Sequence, residues 1–314
     1  MSPETLRIDL PAREGDLPAR WLSCRVAGPA DAPLLLFLHG FPEAAFAWDG
    51  IIERLCTRWR CVAPNLRGYP GSCAPEALEA YRASHLIADV HDLVQALAQA
   101  SRPPRPPRVA ALIGHDWGGA VAWAVAMRHP ALMQHLVILN APHPAVFAQA
   151  LQHDAAQQAA SAYMNDLRRE DAPARLADDD YAGLWALFTQ FGPAPWLDED
   201  TKARYRQAWS QGLRGPLNYY RASPLHPPQP GDDEVMRVQM PPQAVQVQVP
   251  THVVWGERDH ALPASLLDGL EQYVPQLRIT RLPGASHWLV HEYPEDVARL
   301  IEATAAGQAL QSRL

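Results

Sequence analysis

Four short, continuously apolar runs, each ended by a turn, most constrain how this chain can fold. The runs cover residues 34–38, 109–113, 136–139 and 251–255. A strand that is apolar on both faces belongs in a parallel sheet covered by helices, because a half-exposed strand would alternate polar and apolar residues. Helical patterns follow at 46–58, 84–98 and 120–128. The alternation predicts an α/β fold with a mostly parallel central sheet and helices on both faces.

The stretch after Pro142 has a different pattern. Up to about residue 245 it contains helical segments, prolines and many aromatic residues, but it has no apolar run typical of a buried strand. The strand pattern returns at 251–255 and again at 277–282, and a final helix is predicted at 295–306. The sequence therefore predicts a core domain of residues 1–142 and 247–314, interrupted by a helical cap domain of residues 143–246.

Composition excludes several classes of function. The 314 residues carry a formal net charge of −7, which gives no basic surface for nucleic acid or for an anionic membrane. No apolar stretch approaches the roughly 20 residues that a membrane span requires, and the N-terminus does not resemble a signal peptide. The four cysteines form no C-x-x-C pair, so we predict no metal site, no cofactor and a reducing, cytoplasmic location.

Polar residues that could carry chemistry follow the predicted strands at their carboxyl ends, where open α/β sheets bind ligands. The run at 109–113 leads into the turn G-H-D-W-G-G and then into a helix, so Asp116 stands at the centre of a strand–turn–helix unit. In the nucleophile elbow G-x-S-x-G a serine holds that position. Asp259 and His287 follow later strands, and the chain order is therefore nucleophile, acid, histidine.

With these motifs and the turn H-G-F-P at 39–42, the chain resembles the α/β-hydrolase superfamily from about residue 34 to 300. Within it, the chain is similar to epoxide hydrolases and haloalkane dehalogenases. The resemblance implies that Asp116 is the nucleophile, Asp259 the orienting acid and His287 the base. It also implies a cis Phe41–Pro42 bond and an oxyanion hole made by the backbone N–H groups of Phe41 and Trp117.

An aspartate nucleophile suits displacement at a saturated carbon. A serine would form an ether there, which an activated water could not readily cleave, whereas Asp116 forms an ester whose carbonyl carbon accepts water. The carboxylate is ionised at neutral pH unless burial raises its pKa, so it needs no base. His287 is then free to activate the water. His260 and His291 are neighbouring alternatives to His287, and Glu257 is the alternative to Asp259.

The leaving group separates the two enzyme classes. An epoxide oxygen needs a proton donor, and the segment L-N-Y-Y-R resembles the one that holds a cap tyrosine in epoxide hydrolases, with Tyr220 at the matching position. Tyr163 fits best as the other tyrosine. A halide instead needs N–H donors, which Trp117 and the cap tryptophans could supply. The expected pocket lining consists of His39, Pro42, Trp48, Met164, Trp185 and Trp288.

Epoxide hydrolysis to a vicinal diol, with a small apolar substrate and water, is thus the preferred prediction, and haloalkane dehalogenation is the alternative. A non-catalytic ligand-binding protein of the same fold is the third, less favoured hypothesis, because a binding role would not require all three triad residues. The sequence leaves open whether the chain is a monomer or a homodimer.

Overall fold

A single eight-stranded sheet organises the protein. The computed structural model describes residues 2–13, 17, 19–101 and 103–308. The strands are β1 (Glu4–Leu10), β2 (Arg20–Ala27), β3 (Leu34–Leu38), β4 (Arg60–Pro64), β5 (Val109–His115), β6 (Met133–Leu139), β7 (Thr251–Gly256) and β8 (Leu277–Leu282). Their order across the sheet is β1-β2-β4-β3-β5-β6-β7-β8. Strand β2 is antiparallel to both of its neighbours, and the pairs from β4 to β8 are parallel, so the prediction of a mostly parallel sheet is confirmed.

Twelve α-helices are present in the described residues. They are α1 (Asp49–Leu55), α2 (Ala83–Ala100), α3 (Trp117–Arg128), α4 (Pro144–His153), α5 (Ala155–Ala160), α6 (Tyr163–Leu167), α7 (Ala172–Gln190), α8 (Glu199–Trp209), α9 (Arg214–Ala222), α10 (Pro242–Val245), α11 (Leu289–Glu292) and α12 (Pro294–Ala305). Helix α7 is interrupted by non-helical backbone at residues 178–181. None of the helices in the described ranges is long and apolar enough to cross a bilayer.

Alternate side chains of the central strands point into two separate cores. In β3, Leu36 and Leu38 belong to a core that includes residues of α2 and α3, while Leu35 and Phe37 belong to a second core with residues of α1 and α12. Residues 35–38 are all completely buried, as expected for a strand that is covered on both faces. The prediction of helices on both faces is therefore confirmed.

The helices α4 to α10 all lie between β6 and β7 in the chain. Residues 140–250, which the structure describes without a gap, contribute no strand to the sheet. The boundaries of a separate cap domain at 143 and 246 stay a prediction. We use the term cap for the segment from α4 to α10.

One predicted helix is divided in the structure. The sequence pattern at 46–58 indicates a single helix, but the chain first makes a 3-10 turn at Ala45–Trp48 and only then enters α1. This turn packs the indole of Trp48 against Phe37, with ring centroids 5.3 Å apart.

Candidate active site

Asp116 lies on a sharp turn between β5 and α3. Its backbone has φ of 51°, a conformation that a non-glycine residue rarely adopts and that is typical of strained functional turns. The turn lies so close to β3 that a Cβ atom on Gly118 would overlap the carbonyl oxygen of Leu38. The glycine therefore permits the close approach that presents the Asp116 side chain at the carboxyl edge of the sheet.

The two carboxyl oxygens of Asp116 have different partners. Oδ1 accepts a hydrogen bond from the backbone N–H of Phe41 at 2.7 Å, and the carboxylate also accepts one from the backbone N–H of Trp117. Oδ2 lies 3.7 Å from Nε2 of His287. The Phe41–Pro42 bond is cis, as predicted. Two backbone donors thus point at the carboxylate of Asp116, and donors placed in this way can stabilise an oxyanion.

Asp259 contacts the imidazole of His287 on the side away from Asp116. Nδ1 of His287 is 2.6 Å from Oδ2 of Asp259, and both side chains are buried. The other oxygen of Asp259 accepts hydrogen bonds from the backbone N–H groups of Ala261 and Leu262, each at 2.9 Å. An aspartate fixed in this way holds the imidazole in one tautomer and one orientation.

Asn140 is a site residue that the sequence reasoning missed. It follows β6 and donates from Nδ2 to Oδ2 of Asp259 at 2.6 Å, while its own Oδ1 accepts the backbone N–H of Gly256 at 2.7 Å. Its position as a polar residue at the carboxyl end of a buried strand was a signal that could have found it.

Burial and charge shift the pKa values of this group in opposite directions. Burial raises the pKa of Asp116, and the raised value persists although His287, His115 and two backbone N–H groups lower it. Burial lowers the pKa of His287, but the charges of Asp259 and Asp116 outweigh it and raise the pKa to about 9. An ionised Asp116 and Asp259 therefore favour a protonated His287.

Tyr163 of α6 and Tyr220 of α9 line the same cavity as Asp116. The cavity has a volume of about 80 Å³, and its lining is mainly apolar: Asp116, Trp117, Ala120, Pro142, Pro144, Phe147, Tyr163, Met164, Tyr220, Ser223, Leu225 and Leu262. The two tyrosine rings are 6.3 Å apart, centroid to centroid. Burial is the main cause that raises both tyrosine pKa values well above 10; Asp116 adds to it for Tyr163, and Tyr163 and then Asp116 add to it for Tyr220. Both hydroxyls are therefore protonated donors at neutral pH.

Met164 lines this cavity as expected, but the other pocket predictions need correction. Trp48 belongs to the core on the opposite face of the sheet, because the 3-10 turn at Ala45–Trp48 directs its ring there, so the prediction that it lines the pocket is wrong. His39, Pro42, Trp185 and Trp288 do not line the cavity either.

The polar atoms of these four residues make hydrogen bonds within the protein. His39 is fully buried, and its Nε2 accepts the backbone N–H of Leu66 at 3.2 Å. The carbonyl of Pro42 accepts the indole N–H of Trp209 at 2.7 Å. The indole N–H groups of Trp185 and Trp288 donate to the backbone carbonyls of Asp180 and Phe188, each at 2.7 Å.

A buried carboxylate beside the site was also missed. Glu43 follows the H-G-F-P turn, and only 2% of its surface is exposed. It contacts Nδ1 of His115 at 3.2 Å and Nε2 of His291 at 2.5 Å, and it accepts the hydroxyl of Tyr205 at 2.9 Å. Burial alone would raise its pKa, but the two histidines hold the pKa well below its usual range. His115 in turn contacts the backbone carbonyl of His287 at 2.8 Å, so the cluster lies directly behind the histidine.

The alternative triad residues lie elsewhere. His260 is exposed and its Nδ1 contacts the carbonyl of Gln190 at 3.1 Å. Glu257 pairs with Arg281 at 3.2 Å on the surface. His291 contacts Glu43 rather than Asp116, so Asp259 and His287 are the acid and histidine that the structure brings to Asp116.

Comparison with known proteins agrees with this architecture. Residues 33–294 match the family described as alpha/beta hydrolase fold. The chain is 32% identical over 284 residues to epoxide hydrolase 3 of Xenopus tropicalis, an alignment that covers 88% of this chain and 72% of the relative. It is 33% identical to the AB hydrolase superfamily protein YfhM of Bacillus subtilis (strain 168), covering 89% of this chain and 92% of the relative.

A solved structure from work on novel epoxide hydrolases in metagenomes from hot environments superposes with a TM-score of 0.84. It is 34% identical, and the alignment covers 98% of this chain and 100% of that one. The chain belongs to the α/β-hydrolase family, as the motifs indicated. It is a hydrolase of the epoxide hydrolase-like type. The resemblance to α/β hydrolases that its sequence indicated is therefore confirmed.

Proposed function

We propose that the protein hydrolyses epoxides to vicinal diols through an ester on Asp116. Oδ2 of Asp116 attacks a ring carbon, the carbon–oxygen bond of the ring breaks, and a cap tyrosine gives its proton to the leaving oxygen. Water then adds to Cγ of Asp116 and gives a proton to Nε2 of His287. The ester bond breaks, and the departing alkoxide takes the remaining proton of the added water, which leaves Asp116 as a carboxylate. The diol leaves and the proton on His287 passes to the tyrosinate, so that water and epoxide together equal the diol.

The geometry of Asp116 supports both halves of this reaction. Oδ1 is the oxygen bound by the N–H of Phe41, so Oδ2, on the side of His287, is the one proposed for attack. Oδ1 remains beside the N–H of Phe41, at 2.7 Å, where the negative charge appears when water adds to the ester. Donors already in position stabilise that charge without reorganisation, which is commonly the largest contribution to catalysis.

The charge on Asp116 also controls the protonation of His287 during the reaction. In the free enzyme Asp116 is one of the groups that raise the pKa of His287. Esterification removes that negative charge, so the pKa of His287 falls and the neutral imidazole needed to activate water becomes more abundant.

The single observation that carries the proposal is the pair of tyrosines in the Asp116 cavity. Tyr163 and Tyr220 both line it, on the side contributed by the cap. A protonated phenol can donate to an epoxide oxygen, and general-acid help of this kind is typically worth about 10²–10⁴ in rate. A departing halide needs no proton, so it gains no comparable general-acid help from the two phenols.

Among the tryptophans that could donate an N–H to a halide, Trp117 lines the cavity, and its indole N–H is hydrogen-bonded to the Tyr220 hydroxyl. Trp185, Trp196 and Trp209 do not line the cavity. The indole N–H of Trp209 is engaged by the carbonyl of Pro42 and that of Trp185 by the carbonyl of Asp180. The side chain of Phe41 has no donor. Haloalkane dehalogenation, the alternative from the sequence, therefore gains no support from these contacts.

The proposed substrate is a small, largely apolar epoxide, because the cavity walls are mainly apolar and its volume is only about 80 Å³. Nucleic acid is not a proposed partner. A reducing, cytoplasmic location remains part of the proposal, supported by four cysteines that are all buried and not joined in disulfides.

The test is to trap the ester. His287→Gln keeps Asp116 but removes the base, so incubation with 1,2-epoxybutane should leave the adduct on the peptide that contains Asp116, measured by mass spectrometry. 1-Chlorobutane is the matched probe for the halide route. Asp116→Ala should carry no adduct with either compound.

Two results would contradict the proposal. One is an unmodified Asp116 in the His287→Gln variant when wild-type enzyme turns over the epoxide. The other is alkylation by 1-chlorobutane that is faster than alkylation by the epoxide.

A further inference from the structure

Three potential metal ligands come together in the cap, outside the lining of the Asp116 cavity. The side chains of His226, Asp232 and Glu234 lie between α9 and α10, and one ligand atom from each falls within 4.8 Å of the others. The cluster does not form a recognisable metal motif in the sequence, because the spacing H-x5-D-x-E matches neither a helical nor a C-x-x-C pattern. The cluster takes no part in the proposed hydrolysis.

His226 presents an unused lone pair to this cluster. Its side chain is completely buried, and Nδ1 lies 3.1 Å from the carbonyl oxygen of Pro227. A carbonyl only accepts, so Nδ1 carries the hydrogen and Nε2 bears the lone pair. Nε2 has no hydrogen-bond partner, although a buried polar atom without one is costly. Histidines that bind metals usually donate their other N–H in this manner.

Asp232 is fixed opposite that lone pair. The turn Q-P-G-D closes with hydrogen bonds of 2.9 Å in both directions between the backbones of Gln229 and Asp232, and Gly231 supplies the positive φ of 83° that the turn requires. Oδ2 of Asp232 accepts a hydrogen bond from Arg168 at 2.6 Å. Oδ1 is left facing Nε2 of His226 at 3.5 Å.

The 3.5 Å between Oδ1 of Asp232 and Nε2 of His226 is close to the separation of two ligand atoms in a metal site. Two ligands at about 2.0–2.1 Å from a tetrahedral zinc ion are separated by about 3.4 Å, close to the observed separation. Glu234 is exposed and can approach from the solvent side, and water can take the fourth position. Imidazole with carboxylates suits zinc, whereas magnesium and calcium prefer oxygen ligands alone.

We propose that His226, Asp232 and Glu234 form a zinc-binding site in the cap. The guanidinium of Arg168 offsets part of the negative charge of Asp232, so the expected affinity is moderate, in the micromolar range. The proposal rests on this cluster and is independent of the proposed epoxide chemistry.

The cluster is tied to the cavity wall. Asn165 donates from Nδ2 to the carbonyl of Pro227 at 3.1 Å, and Arg168 reaches Asp232 from just beyond the end of α6. Helix α6 carries Tyr163 and Met164, and residues 223 and 225 line the same cavity. A bound ion would therefore restrain one wall of the cavity by linking residues 226–234, which are already joined to the α6 region.

The test is a titration of chelator-treated, full-length protein with zinc chloride, followed with a competing chromophoric zinc indicator. Wild-type protein should bind one zinc ion per chain. Glu234→Gln removes an exposed ligand that packing does not need, and we expect at least about tenfold weaker binding. Asp233→Asn is the matched control, since it removes an adjacent carboxylate that pairs with Arg237 instead, at 3.0 Å.

Hydrogen exchange gives a second readout. Zinc should slow exchange of backbone amides at 223–238 in wild type and in Asp233→Asn, but not in Glu234→Gln. His226→Gln should behave like Glu234→Gln if it folds. Absence of binding at millimolar zinc, or equal affinity in wild type and Glu234→Gln, would overturn the site.

Discussion

Tyr219 and Tyr220 are adjacent on α9, yet their hydroxyls have different environments. Tyr219 donates to the backbone carbonyl of Arg67 at 3.0 Å, outside the Asp116 cavity, whereas Tyr220 lines that cavity. Tyr220→Phe should therefore slow alkylation of Asp116 by an epoxide about 10²–10⁴-fold in pre-steady-state measurements, with ester hydrolysis close to normal. Tyr219→Phe is the matched control and should keep the alkylation rate within about twofold to threefold. Equal alkylation rates in the two variants would remove Tyr220 from the proposed chemistry.

The pKa of His287 should shift in a defined direction when the charge of Asp116 is removed. This pKa is raised to about 9 because the charges of Asp259 and Asp116 outweigh burial. Asp116→Asn removes one of these charges without changing the size of the side chain, so the pKa of His287 should fall below that of the wild type. Proton–nitrogen NMR of the imidazole, followed from pH 5 to 10, measures both values.

His252 serves as the internal reference in that titration, because its ring should stay neutral from pH 5 to 10. Burial lowers its pKa to about 4, and its ring contacts Thr304 and Thr280 rather than Asp116. It should not respond to Asp116→Asn. An unchanged pKa of His287 would contradict the idea that formation of the ester intermediate activates this histidine.

In the wild-type enzyme, the rate of ester hydrolysis should rise with pH and level off below pH 9, because His287 must be neutral to act as the base.

Residue types and chain order were enough to predict Asp116, Asp259 and His287 as a group, because each follows a recognisable strand. Asn140 and Glu43 were missed for a physical reason. Their partners come from positions far away in the chain, such as Asp259 for Asn140 and Tyr205 for Glu43, and periodicity carries no information about such contacts. The functional roles of the group remain predictions.

At the scale of elements, α8 attaches the cap to the turn after β3. Tyr205 donates to Glu43 at 2.9 Å and Trp209 donates to the carbonyl of Pro42 at 2.7 Å. Both donors are buried, so these bonds are shielded from water. The segment that directly follows the oxyanion donor Phe41 is thereby fixed by a helix distant in sequence.

Tyr205→Phe should lower the free energy of unfolding by roughly 1.5–3 kcal/mol, because it removes a hydrogen bond to a buried carboxylate. Denaturation with urea, analysed with a common slope, measures the change. Tyr181→Phe is the control, since that hydroxyl makes no hydrogen bond within the described residues, and its effect should stay within about 0.5 kcal/mol. Equal stability of the two variants would show that the contact with Glu43 contributes nothing measurable.

The strands and helices of the core were predictable because their apolar periodicities are strong, and the cap was recognisable from the loss of strand pattern. The division of the predicted helix at 46–58 was not predictable. Propensity cannot distinguish one helix from a 3-10 turn followed by α1, since that choice depends on how Trp48 packs against Phe37. The incorrect placement of Trp48 in the pocket follows from the same ambiguity.

Considered as a whole, the molecule encloses its nucleophile between the sheet edge and the cap in a small space. A cavity of about 80 Å³ is well below the roughly 300–1,000 Å³ of pockets that hold drug-sized ligands. Short epoxides should therefore react faster than bulky ones, for which the cap has to move.

Phe147→Ala should change this preference, because Phe147 of α4 lines the cavity. We expect the ratio of kcat/KM for styrene oxide to that for 1,2-epoxybutane to rise about tenfold. Val146→Ala, next to it on the same helix but outside the cavity lining, is the control and should leave the ratio unchanged. A ratio that does not move in Phe147→Ala would mean that the cavity does not limit substrate size.

The unlike surroundings of the two Asp116 oxygens have a consequence for the origin of the atoms in the product. If Oδ2 forms the bond to substrate and water attacks Cγ, the diol leaves with an oxygen that belonged to the protein, and the oxygen of the water stays behind in the carboxylate. A single turnover in ¹⁸O-labelled water should therefore give an unlabelled diol and a labelled protein. Only later turnovers should release the isotope, so the enzyme renews part of its own side chain from solvent each time it works.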